Sequence, residues 1–181
     1  KKLEQLIVQA VRQFDDNYSR FKVNSYIGQL NEKHVVKNPP QELLDMFDFA
    51  HKMFIATDGV FDISVAAHLQ NTGYGRLNKT KKHITTFWNE TIWNRDEIHI
   101  PEGTSVDLGG FGKGWLIDKL AVLLEQMGYP HYVINGGGDI AFSAPKPIEL
   151  GLEHPYDSAK VIGTTSGFTG ALAVSSIVKR R

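Results

Sequence analysis

Apolar residues return at three- and four-residue intervals through the start of the chain: Leu3, Leu6, Ile7, Ala10, Val11 and Phe14. That spacing lines one face of an α-helix and predicts a helix over residues 1 to about 16, ended by Asp15-Asp16-Asn17. From Tyr18 to Asn31 the pattern is mixed and polar, and it predicts a loop with a short turn. A second helix is expected from Pro39-Pro40, because proline fits a first helical turn, where its missing amide is not needed. Leu43, Phe47, Ala50, Met53 and Phe54 would form its buried stripe, and Thr57-Asp58-Gly59 is the turn signal that closes it.

Strand-like patterning follows. Phe61-Asp62-Ile63-Ser64-Val65 alternates and fits a short strand or a packed turn. Residues 70–90 are polar, contain Asn71-Thr72-Gly73-Tyr74-Gly75 and predict an exposed loop. Ile98-His99-Ile100 predicts a strand ahead of Pro101. Val106-Asp107-Leu108 then runs into Gly109-Gly110-Phe111-Gly112-Lys113-Gly114. Beyond it, Leu116, Leu120, Leu123, Leu124 and Met127 mark the buried face of a third helix, with Gly128 where a C-terminal glycine belongs. Tyr132–Asn135 reads as a strand ending at Gly136-Gly137-Gly138-Asp139, and further short strands are expected around residues 148–152, 161–163 and 171–174. The irregular alternation of helices and strands predicts an α+β fold, a mixed β-sheet with packed helices.

A length of 181 residues fits one large domain or two small lobes sharing a core, and residues 1–181 are read as a single domain. Twenty basic and twenty acidic residues cancel, so no net positive field favours nucleic acid. The absence of cysteine excludes disulfides, thiolate metal sites and a cysteine nucleophile. No apolar run approaches the ~20 residues of a transmembrane helix, and the amphipathic pattern at Lys1-Lys2 leaves no signal peptide visible.

Candidate chemistry concentrates in three stretches. In residues 106–118, four glycines between a strand and a helix let backbone amides approach a ligand, the helix N-terminus favours an anion, and Lys113 adds a cation. That combination suits a phosphate or pyrophosphate, although the spacing is neither a Walker loop nor a GxGxxG fingerprint. Taken alone, it better describes a glycine turn that packs closely, with Lys113 solvated. Asn135-Gly136-Gly137-Gly138-Asp139 marks either close backbone approach to a ligand or a tight turn capped by Asp139. Asp62 lies between Phe61 and Ile63, and a carboxylate among apolar residues must find donors or a cation. The seven histidines show no metal-ligand spacing; His51 and His68 read as packing or polar-face residues, and Lys179-Arg180-Arg181 as a solvated terminal run.

The order of these stretches carries a resemblance. TDGVFDISV, then VDLGGFGKGWLIDKL, then YVINGGGDI is similar to the FAD:protein FMN transferase family, formerly called thiamine biosynthesis lipoprotein ApbE. SRFKVNSYIGQLN upstream, and ELGLEHPYD and GALAVSS downstream, resemble the same family, so the similarity spans nearly the whole chain. It implies FAD as substrate, a divalent cation, usually magnesium, and transfer of FMN to a threonine of an acceptor flavoprotein with release of AMP. Some members mainly bind FAD or hydrolyse it. The resemblance places Phe21, Phe61, Asp62 and Ile63 against the flavin nucleotide, Asp107 and Lys113 on the ligand, and Gly137 and Asp139 in a glycine-rich pocket wall. It places the backbone of Gly110 at the metal.

The family pattern also continues beyond this chain. A His-x-x-Asp-Pro turn and the later Asp and Thr metal ligands are expected past Arg181, and a first strand ahead of Lys1, so the domain is read as incomplete at both ends. Tyr74-Gly75 stands where many members have Trp-Gly. Members are often exported and anchored as lipoproteins; this chain shows no lipobox cysteine.

Overall fold

The computed structural model describes residues 2–65 and 87–174. The predicted features at His68, Tyr74-Gly75, His83 and Lys179-Arg180-Arg181, and most of the 70–90 loop, lie outside the described residues. The chain divides into two compact units, Lys1–Gly110 and Phe111–Arg181.

In the first unit, α1 (Lys2–Tyr18) runs past Asp15-Asp16-Asn17, which do not end it as expected. Two contacts override the turn signal. Lys22 bridges Asp15 and Asp16, and those bonds hold its ammonium pKa above the usual lysine range. Tyr18 is buried, packs edge-on against Phe14, and donates its hydroxyl to the Glu42 carboxylate at 2.9 Å. Burial, and then that bond, push the Tyr18 pKa well above its ordinary value.

The stretch expected to be a loop contains α2 (Tyr26–Lys33). Ser25 is its N-cap, accepting a bond from the Gly28 amide at 2.8 Å, and Ile27 and Leu30 are fully buried beneath it. The helix is short and half polar, so its stability comes from docking more than from periodicity. His34, in the left-handed conformation, closes it and leads into β1 (Val35–Lys37).

α3 (Gln41–Ala56) begins after Pro40 and buries Leu43, Phe47 and Ala50 as expected, with Leu44 and Met46 besides. Met53 and Phe54 are only half buried. Asp58 and Gly59, both at positive φ, make the turn that follows. At the end of the predicted 70–90 loop, Phe87–Glu90 form instead a one-turn helix, α4, because Phe87 and Trp88 enter the core. Trp88 packs against Phe47 and Phe54, and His51 rests between Trp88 and Trp93, as its packing reading anticipated. β2 (Ile92–Trp93) and β3 (Glu97–His99) complete an antiparallel sheet in the order β1-β3-β2.

In the second unit, α5 (Gly112–Gln126) buries Ile117, Leu120 and Leu124. Leu116, Leu123 and Met127, expected on the buried stripe, are only half buried, because the buried face is rotated toward Ile117. Gly128, at positive φ, follows the helix as predicted. β4 (Tyr132–Asn135) pairs antiparallel with β5 (Asp139–His154), and β5 with β6 (Asp157–Ala173). The three short strands expected downstream are therefore parts of one long hairpin. The register shifts between Ser143 and Ile148, across Pro145 and Pro147, which lack the amide a ladder needs. That break makes the pattern read as separate pieces.

The α+β class holds. Among the described residues both sheets are antiparallel, and parallel pairing is confined to one isolated bridge, Val65 to Ser105.

Candidate functional site

In the first unit the two acidic motifs come together through the backbone. The Asp107 amide donates to the Ile63 carbonyl at 2.8 Å. This bond lies beside the Val65–Ser105 bridge, so Phe61–Val65 behaves as a packed turn docked on the strand-like segment before the glycines. Ile63 is only 1% exposed, so its side chain belongs to the core, and it joins the site through its carbonyl.

Val106 is held from the other side by Asn31 of α2. The Asn31 side-chain amide donates to the Val106 carbonyl at 2.9 Å, and its oxygen accepts from the Val106 amide at 2.6 Å. A side chain here does the work of a neighbouring strand. Asn31→Ala would leave both backbone groups of fully buried Val106 without partners. A loss of about 2–3 kcal/mol of stability is expected by chemical denaturation, with Asn31→Asp falling between alanine and wild type because it keeps the acceptor.

Asp107 is the centre of the first unit's polar cluster. One carboxylate oxygen accepts from the Gly109 amide at 2.8 Å; the other is 3.2 Å from Arg20 Nε. The Arg20 side chain is buried, at 5% exposed, and that of Asp107 is partly buried, at 15%. The Arg20 guanidinium also lies over the Phe21 ring, 4.6 Å from its centroid, while Phe21 itself is 63% exposed. A carboxylate offers about four acceptor positions, so these two bonds leave Asp107 capacity for a ligand hydroxyl or amino group.

The glycines keep this cluster open. A Cβ at Gly109 would stand 3.0 Å from the Asp107 carboxylate, and one at Gly110 would stand 3.2 Å from the Phe61 ring. Asp62, half buried, accepts from the Ser64 amide at 2.9 Å. That is the local donor its apolar flanks required. The first unit therefore gathers Phe61, Asp107 and Gly110, with Asp62 and Ile63 on the docked turn and Phe21 attached through Arg20.

In the second unit, Lys113 is exposed, as the packing alternative had it, and it is also ion-paired. Its ammonium is 3.0 Å from the Asp139 carboxylate, joining the first turn of α5 to the start of β5. The Gly136–Gly138 turn is closed internally. The Gly136 amide donates to the Asp139 carbonyl at 2.8 Å, and the Asn135 side-chain oxygen accepts from Gly137 and Gly138 at 2.9 and 3.1 Å. Gly137 and Gly138 adopt φ of +80° and +109°, which a side chain would strain. These amides hold the turn's shape; an anion in this unit would meet the uncapped N-terminus of α5, where Phe111 makes no side-chain cap, and the Lys113 ammonium.

Sequence reasoning missed Arg20 and Asn31. Arg20 and Asn31 act through partners far along the chain, which local pattern does not reveal. Asn135 stands at the head of the glycine stretch read from the sequence, and its side-chain bonds to Gly137 and Gly138 agree with the tight-turn alternative. Among the described residues no three His, Asp or Glu side chains gather as cation ligands, and Gly110 contributes backbone alone. The described residues thus do not by themselves fit a magnesium ion. Among them no helix is long and apolar enough to cross a membrane.

Comparison with known proteins places this arrangement. The ApbE family model matches residues 2–181. The chain is similar to the FAD:protein FMN transferase of Vibrio cholerae, 26% identical over 156 residues that make up 77% of this chain and 46% of the relative. The protein of the same name from Haemophilus influenzae is 23% identical over 159 residues, 76% of this chain and 46% of the relative. The crystal structure of the ApbE protein from Thermotoga maritima superimposes with a TM-score of 0.82 at 20% identity, covering 94% of this chain and 60% of that one. The chain spans about half the length of the curated relatives it matches.

Proposed function

Because the chain belongs to the ApbE family, we propose that it forms the flavin-nucleotide-binding part of an FAD:protein FMN transferase. The reaction would move FMN from FAD to an acceptor flavoprotein. A threonine hydroxyl oxygen of the acceptor attacks the FMN phosphorus, the pyrophosphate P–O bond breaks, AMP departs with the bridging oxygen, and the hydroxyl proton passes to water. Magnesium belongs to this reading as the group that supplies charge compensation at the phosphates; no step is drawn through it, since the described residues do not assemble its ligands.

The chain's own residues would bind and orient. Phe21, exposed beside the Arg20–Asp107 pair, offers a ring for stacking a flat heterocycle. Asp107 accepts from a ribose hydroxyl or an adenine amino group. Gly109 and Gly110 leave room for the ligand to approach the backbone and Phe61. In the second unit, taken by itself, Lys113 beside Asp139 offers an ammonium that a phosphate could meet. The observation that carries the reading is the hydrogen bond from Asp107 to Ile63, which brings the two family motifs onto one surface of the first unit.

The test uses the full-length protein with FAD, magnesium and a threonine-bearing acceptor peptide. Covalent flavin on the peptide and stoichiometric AMP are expected. FAD bound without AMP would make the protein a flavin-binding protein; AMP formed without peptide modification would make it a hydrolase.

A further inference from the structure

We propose that Arg20 is the positioning residue of the first unit's nucleotide-facing surface, compensating Asp107 and holding the Phe21 ring so that an anionic dinucleotide meets a neutral pair. The inference rests on the FAD-binding reading above. One guanidinium touches two residues assigned to the ligand. Its Nε is 3.2 Å from the Asp107 carboxylate and its Cζ is 4.6 Å from the Phe21 centroid. With a side chain only 5% exposed, Arg20 acts through these neighbours and does not reach out to the ligand.

The electrostatics explain why such a residue is needed. FAD carries charge on its pyrophosphate, and Asp107 is 15% exposed, so water screens it poorly. A bare carboxylate there would repel the ligand it is meant to hold. Arginine stays protonated at every accessible pH, and its flat guanidinium serves a carboxylate and an aromatic face together. Lysine would restore the charge without the plane. Glutamine would keep much of the bulk while leaving the carboxylate uncompensated.

FAD affinity, read by flavin fluorescence, and the melting temperature of the ligand-free protein test this in wild type, R20K, R20Q and R20Q/D107N. R20Q should weaken FAD binding by about tenfold or more, as expected when one partner of a buried charge pair is removed. Adding D107N should recover most of that affinity and raise the melting temperature above that of R20Q, because the uncompensated charge is gone. R20K should lie between wild type and R20Q. Affinity in R20Q equal to wild type, or no recovery in R20Q/D107N, would overturn the role of Arg20 while leaving FAD binding intact. Should R20Q not fold, R20K decides: weaker FAD binding at an unchanged melting temperature supports the role, and unchanged binding overturns it. A wild-type protein that binds no FAD overturns the functional reading and this inference with it.

Discussion

Gly28→Ala is expected to destabilise the first unit by about 3 kcal/mol or more, in spite of alanine's better helix propensity. Gly28 sits in the first turns of α2 and is fully enclosed. A Cβ there would fall on the Lys22 carbonyl oxygen, with the Lys22 carbonyl carbon at 2.9 Å and the Val23 oxygen at 3.0 Å. These atoms are backbone and cannot swing aside as a side-chain tip can. Replacing glycine by alanine inside a helix ordinarily gains about 1 kcal/mol, while overpacking against rigid neighbours costs roughly 1–3 kcal/mol or more. Relieving the clash means lifting α2 from the chain before it, which also removes the Ser25 cap and exposes Ile27 and Leu30. The contrast is Gly114, where a Cβ meets nothing within 4 Å. Chemical denaturation of the two alanine variants should move in opposite directions.

Asp107→Ala is the second large effect, and it is expected to lower both stability and ligand affinity. The substitution takes the carboxylate from the buried Arg20 guanidinium and removes the acceptor from the Gly109 amide. Breaking a buried ion pair from one side costs about 3–5 kcal/mol, because the remaining charge keeps its desolvation penalty without its compensation. FAD affinity should fall together with the melting temperature. Asp107→Asn, which retains an oxygen for Gly109, should be milder on both counts. An Asp107→Ala protein as stable as wild type would mean that the pair contributes nothing to the fold.

Much of the fold was legible where a single element carries its own pattern. α1, α3, α5 and β4 follow from their apolar spacing, and Gly59 and Gly128 sit at positive φ where turn and cap chemistry put them. What was not legible depends on distant partners. α2 is short and its apolar residues few; it is fixed by the Ser25 cap and by Gly28 fitting against Lys22. α1 outruns its acidic stop signal because Lys22 neutralises Asp15 and Asp16 and Tyr18 finds Glu42. The long β5–β6 hairpin looks like fragments because Pro145 and Pro147 interrupt its ladder.

The same division applies to the candidate site. Motif order pointed to Phe61, Asp62, Asp107 and Lys113. The groups that organise them, Arg20 for Asp107, Asn31 for Val106 and Asp139 for Lys113, belong to other segments and appear only when the chain is folded. Asp139 was noticed for its place after three glycines, and its ion pair with Lys113 had no trace in the spacing.

The central claim is that the surface around Arg20, Phe21, Phe61 and Asp107 receives FAD. Amide hydrogen exchange of the 181-residue chain, with and without saturating FAD, tests it most directly. Slowed exchange concentrated at residues 19–21, 61–64 and 107–110 is the predicted result. Unchanged exchange in all three segments under FAD-saturated conditions would contradict it.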